Sequence, residues 1–195
     1  MDDLVRLFFG FELPGEVIRI SRELRTLVGD PKKTVRWVPA RNIHLTLRYL
    51  GPTPDSAVAG IVSAAESGLA DFRTMQINLA GTGVFPAPTR PRVLWMGVEG
   101  DIAAVQRMEG AIHGLLEPLG FPQQPRDYIP HVTLGRVRYP QKLPPDVSMF
   151  LQAEYQPVDC SLEVLHLYES RVGERGVSYV PLASFQLNSS DQERS

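Results

Sequence analysis

Apolar and polar positions change pattern every eight to sixteen residues along the chain, and each pattern predicts a short element. Leu4–Phe11 is a run of branched and aromatic residues and reads as a buried strand. Pro14 stands where a helix can begin, and Glu16–Val28 carries apolar residues at 17, 20, 24, 27 and 28, one helical face ending at Gly29. Val35–Val38 and Ile43–Leu50 alternate as strands, and Gly51-Pro52 stops the second. A second helix is expected over Pro54–Ala70, followed by strands at Phe72–Leu79 and Val93–Val98 with a Gly-, Pro- and Arg-rich loop between them. Asp101 is placed to cap a third helix that Gly120 closes. His131–Val137 reads as a strand and the proline-rich Leu143–Ala153 as a short helix. Leu162–Tyr168 and Val177–Leu187 read as strands joined by the turn Gly173–Gly176.

About four helices and eight or nine strands result, with neighbouring strands often too close in sequence for parallel crossovers. The fold class expected is α+β: two antiparallel sheets facing a central cleft, helices outside. One internal echo organises it. His44-Leu45-Thr46-Leu47 returns 87 residues later as His131-Val132-Thr133-Leu134, suggesting two similar lobes. The reading is a single bilobal domain over 1–187 and a flexible polar tail over 188–195.

Composition narrows the classes. The 195 residues are 43% apolar, enough for a sizeable core. Twenty Lys and Arg against 22 Asp and Glu give a net charge of −2, which argues against a chain held on nucleic acid by charge alone. The average hides an asymmetry. Arg19 to Arg48 holds eight basic and two acidic residues, while Leu143 to Ser170 holds five acidic residues and no Lys or Arg. Arg90, Arg92, Arg126, Arg136, Arg138 and Lys142 add to the basic side. Cys160 is the single cysteine, so neither an internal disulfide nor a cysteine zinc site can form, and a reducing cytoplasm is the expected compartment. The N-terminus is acidic and its apolar run short, so neither a signal peptide nor a membrane span is expected.

Side chains alternate across a strand, so His44, Thr46 and Arg48 should share one face, and His131 and Thr133 one face of the second copy. If the lobes face each other, two imidazoles and two hydroxyls converge. Two histidines can supply a general base and a general acid together near neutral pH. Hydroxyls and an arginine suit the non-bridging oxygens of a phosphodiester. The implied chemistry is in-line displacement at phosphorus, which by this logic requires no metal. Arg136 has the wrong parity to join His131 on a straight strand; a bulge or a strand end would be needed.

At these residues the chain resembles the two-histidine phosphoesterases, and within them the bacterial and archaeal RNA 2′,3′-cyclic phosphodiesterases, also called 2′-5′ RNA ligases. The likeness runs through Arg6–Pro14, Val35–Pro39, Asn42–Gly51, Gly83–Pro86, Pro91–Trp95, Pro130–Arg136 and Leu167–Ser170. The resemblance implies a bilobal fold with pseudo-two-fold symmetry and hydrolysis of an RNA-terminal 2′,3′-cyclic phosphate to a 2′-phosphomonoester, with 2′-5′ ligation as a second activity and no cofactor for either. It implies His44 as proton donor, His131 as proton acceptor, Thr46 and Thr133 on the phosphate oxygens, and Arg136 as phosphate-binding. The residues alone do not assign donor and acceptor.

Arg48, Phe85 and Arg92 complete the substrate-binding candidates, Phe85 as a stacking platform on a loop rim. Trp37 and Trp95 are expected in the core, His113 on a solvated helix face and His166 packed in a sheet. RNA ends or cyclic nucleotides are the expected substrates, and a monomer the expected state. Two alternatives remain: a phosphodiesterase for small cyclic nucleotides, and a non-catalytic RNA-binding module.

Overall fold

A computed structural model describes residues 3–30, 33–122, 127–139, 144–174 and 176–189. Arg126, Lys142 and the end of the polar tail lie outside the described residues, so their expected roles are not addressed by it. Among the described residues there are nine strands and four α-helices. In chain order these are β1 (Leu4–Phe11), α1 (Gly15–Thr26), β2 (Val35–Trp37), β3 (Leu45–Pro54), α2 (Val58–Leu69), β4 (Met75–Phe85) and β5 (Val93–Gly100). Then come α3 (Ile102–Leu116), β6 (His131–Val137), α4 (Ser148–Leu151), β7 (Val158–Leu162), β8 (Val164–Gly173) and β9 (Gly176–Gln186).

The strands form two sheets, ordered β3-β1-β8-β9 and β2-β6-β5-β4-β7, and every pairing within them is antiparallel. The α+β class with two antiparallel sheets is therefore correct. The 87-residue echo has a structural counterpart: β1-α1-β3 in the first sheet has the same order as β5-α3-β6 in the second. The chain interleaves the two. β8 and β9, from its end, complete the first sheet, while β2, from its first quarter, pairs with β6 in the second.

Inward residues of both sheets build one apolar core. Phe9, Leu45, Leu165 and Leu167 from the first sheet and Leu79, Leu94, Met96, Val132 and Leu134 from the second are all fully buried in it. Helix α3 contributes Val105, Met108, Ile112 and Leu116 at helical spacing. Its start is as expected: the Asp101 carboxylate accepts the Ala104 N–H at 3.2 Å. Gly120 follows with φ +89°, a left-handed stop that glycine adopts without a Cβ penalty.

Three strands run further than their sequence suggests, β8 among them, which reaches Gly173 past the expected end at Tyr168. β3 continues through Gly51-Pro52 to Pro54. It is an edge strand, where a proline without an N–H is tolerated, and Gly51 takes φ +80°. β4 begins at Met75 and extends to Phe85, so the first half of the expected loop is strand. Pairing with β5 overrides its glycines. The Pro54–Ala70 segment opens instead as a 3-10 turn, Asp55–Ala57, before α2.

Candidate active site

His44 immediately precedes β3 and follows the 3-10 turn Ala40–Asn42. Its Nδ1 lies 2.7 Å from the Asn42 carbonyl oxygen. A carbonyl only accepts, so Nδ1 carries the hydrogen and Nε2 is the nitrogen left for chemistry. Asn42 is itself buried and held across the fold, its side-chain amide donating to the Val177 carbonyl at 2.8 Å. His131, which opens β6, repeats the device: its Nδ1 is 2.7 Å from the Ile129 carbonyl oxygen. Both imidazoles are thus fixed in one tautomer by the carbonyl two residues upstream.

Each ring is also boxed by two aromatic side chains. Phe8 and Tyr179 lie 4.8 and 5.0 Å from His44, Tyr179 edge-on. Phe85 and Trp95 lie 5.1 and 6.2 Å from His131, Phe85 edge-on. Gly83, paired with Trp95, leaves the space its ring occupies. These boxes remove water, and removal of water disfavours the charged imidazole. Burial is the largest cause holding both histidines below their ordinary pKa of 6.5. The Arg136 guanidinium pushes both the same way, and His131 adds to the effect on His44. The two imidazoles and Arg136 are therefore close enough to act on one another electrostatically. Thr46 Oγ1 is 2.8 Å from His44 Nε2. Tyr128, just upstream of His131, donates its hydroxyl to the Thr46 carbonyl at 2.8 Å and ties the two motifs together.

A β-bulge decides which arginine joins the site. In β3 the register passes from Gly10↔Thr46 to Phe9↔Arg48, so one residue, Leu47, is extra. An extra residue reverses the alternation after it. Arg48 therefore leaves the face of His44 and Thr46 and enters the interior, where it is 5% exposed. It donates to the Pro122 carbonyl at 2.6 Å and approaches the Glu109 carboxylate on α3 at 3.9 Å. Its expected place beside the phosphate is corrected accordingly. β6 has its bulge at the equivalent point, passing from Trp95↔Thr133 to Leu94↔Gly135. There the reversal returns Arg136 to the side of Thr133. Arg136 thus occupies the place that Tyr49, not Arg48, holds in the first copy.

The other candidates are dispersed, and His166 alone of the named aromatic residues stands where expected, in a sheet. Phe85 ends β4 rather than rimming a loop, and its ring packs on His131 and Trp95. Arg92 is exposed, with its guanidinium 4.8 Å over the Tyr139 ring, and Arg90 shares that ring at 5.6 Å. Trp37 is half-buried under the Arg25 guanidinium, and Trp95 is half-buried beside His131 rather than in the core. His113 is half-buried, with an Nδ1 that has no hydrogen-bond partner, rather than on a solvated face. His166 sits in β8 with its Nδ1 2.8 Å from the Ser184 hydroxyl. Phe8, Asn42 and Tyr179 escaped the sequence reading. Phe8 was hidden in an apolar run, and nothing in β9 marks Tyr179 until β9 is known to close the first sheet.

Two histidines flanked by aromatic rings, a threonine in each strand and an arginine that acts on both imidazoles thus come together, a set of groups able to hold an anion and to exchange protons. Comparison with known proteins agrees with the fold. The profile of the 2′-5′ RNA ligase superfamily matches residues 14–174, and the chain belongs to that superfamily. It is 31% identical over 163 residues to an RNA 2′,3′-cyclic phosphodiesterase of Aeropyrum pernix, covering 83% of this chain and 90% of the relative. It is 30% identical over 187 residues to one of Methanothermobacter thermautotrophicus, covering 94% and 99%. Among solved structures, TT0787 of Thermus thermophilus superposes with a TM-score of 0.77 at 26% identity, covering 95% of this chain and 99% of that one. The E. coli LigT complex with 3′-AMP shares the fold at a TM-score of 0.73 and 24% identity, with the same coverage.

Proposed function

We propose that the protein hydrolyses RNA-terminal 2′,3′-cyclic phosphate to a 2′-phosphomonoester by paired-histidine acid–base catalysis. The observation that carries this reading is the matched pair of imidazoles, each with Nδ1 tied to a carbonyl and Nε2 left for chemistry, under the influence of one arginine. Its relatives are named for this activity. His131 Nε2 takes a proton from water as the water oxygen attacks phosphorus. The bond from phosphorus to the 3′ oxygen breaks, and His44 Nε2–H protonates that oxygen. Thr46 and Thr133 hydrogen-bond the non-bridging oxygens, and Arg136 offsets their charge. The bound anion also raises the pKa of both histidines, so the acid is charged when it is needed. With the 5′-hydroxyl of a second strand in place of water, the same steps give a 2′-5′ linkage.

No step of this mechanism involves a metal. An RNA ending in 2′,3′-cyclic phosphate, incubated with the protein and excess EDTA, is expected to give a 2′-phosphate end at an undiminished rate. Loss of turnover with EDTA, restored by a divalent cation, overturns the mechanism. A 3′-phosphate product overturns the leaving-group assignment.

A further inference from the structure

β2 is three residues long and pairs only with β6, at the edge of the second sheet. Its central residue, Arg36, stands directly opposite Arg136 in the antiparallel register. Directly opposed residues share a face. The other face is occupied: a Cβ on Gly135 would meet the side chains of Val35 and Trp37 within 3 Å, so these two residues lie on the Gly135 side. Arg36 is thereby left on the side of Arg136, and it is exposed. Among the described residues neither arginine has a carboxylate partner within ion-pair distance. Two like charges directly opposite one another destabilise a sheet unless an anion lies between or above them.

The two guanidiniums differ in reach. Arg136 acts on both imidazoles and on Tyr179, whereas Arg36 acts on Tyr179. Arg36 is one strand spacing, about 4.8 Å, further out toward the sheet edge. That offset suits an anion one step outward from the one between the histidines.

We propose that Arg36, paired across the sheet with Arg136, binds the internucleotide phosphate one nucleotide upstream of the terminal cyclic phosphate, and so selects polynucleotide ends over mononucleoside cyclic phosphates. This rests on the hydrolytic reading above and names its substrate class.

The test compares two substrates: adenosine 2′,3′-cyclic phosphate, and the dinucleotide ApA ending in 2′,3′-cyclic phosphate. The readout is the ratio of kcat/KM for the dinucleotide to that for the mononucleotide. Arg36→Gln is expected to lower the ratio about tenfold, the scale of one charge-assisted hydrogen bond. It should also reduce the salt slope of log kcat/KM on the dinucleotide by about 0.7–1. Arg36→Lys should restore most of the ratio. A dinucleotide with a neutral methylphosphonate linkage should show the same drop with the wild-type protein and no further drop with Arg36→Gln. An unchanged ratio overturns the proposal, because it leaves Arg36 only as a charge guarding an edge strand. An equal fall on both substrates also overturns it, placing Arg36 at the scissile phosphate or in the fold. If the wild-type protein turns over neither substrate, the hydrolytic reading fails and this inference falls with it.

Discussion

At the scale of single residues, the two histidines set the pH behaviour. Both stand below their ordinary pKa of 6.5, through burial first and Arg136 second. The proposed mechanism uses one neutral and one charged imidazole, so kcat/KM should be bell-shaped, with its maximum below about pH 6.5. Arg136→Gln removes one cause of the depression, so both limbs should move to higher pH as the rate falls. A profile that keeps its position while the rate drops would assign Arg136 to binding alone. Arg48 carries the opposite expectation. It is buried between α3 and the Pro122 carbonyl, so Arg48→Ala should cost about 2–3 kcal/mol of stability by chemical denaturation. The His-x-Thr pair was legible because both residues precede the bulge. Beyond the bulge the faces were not legible from parity alone, since one extra residue exchanges them; Arg48 was misplaced for that reason, and Arg136 was reached only through the family resemblance.

At the scale of elements, close packing between strands holds the imidazoles in place. A Cβ on Gly10 in β1 would sit 2.9 Å from the Leu45 carbonyl oxygen and 3.3 Å from His44 Cδ2. Backbone cannot yield there cheaply, so Gly10→Ala should push β3 and the His44 ring outward. We expect a destabilisation of about 1–3 kcal/mol and a fall in kcat of at least tenfold, checked by thermal melts and single-turnover kinetics on the same preparation. A stability loss with unchanged kcat would show that His44 tolerates movement of its floor. Most elements were legible from periodicity. The long β3 and β4 were not, because Gly51-Pro52 and the β4 glycines are turn signals that only an edge position or a bulge makes acceptable in a strand.

At the scale of the whole molecule, the interleaved chain was the hidden part. The 87-residue echo announces two related halves, but nothing local shows that β8 and β9 return to the first sheet or that β2 joins the second. Those long-range pairings bring Tyr179 to His44 and Arg36 to Arg136. The same assembly makes stability pH-dependent. His44, His131 and His166 all have folded-state pKa values lowered chiefly by burial. The unfolded chain binds protons near 6.5 that the folded one refuses, so stability is full above that pH and declines as pH falls below it. Tm should fall between pH 7 and pH 5, and His44→Gln should flatten the decline. A Tm that rises on acidification over that interval would contradict the burial of these rings.

The central claim is that His44 and His131 each move a proton in the hydrolysis of a terminal 2′,3′-cyclic phosphate. The most direct measurement is single-turnover hydrolysis of such an RNA by the wild-type protein and by His44→Ala and His131→Ala, each confirmed folded by circular dichroism. Each variant is expected to lose about 10²- to 10⁴-fold in rate. Full activity in either folded variant would contradict the account.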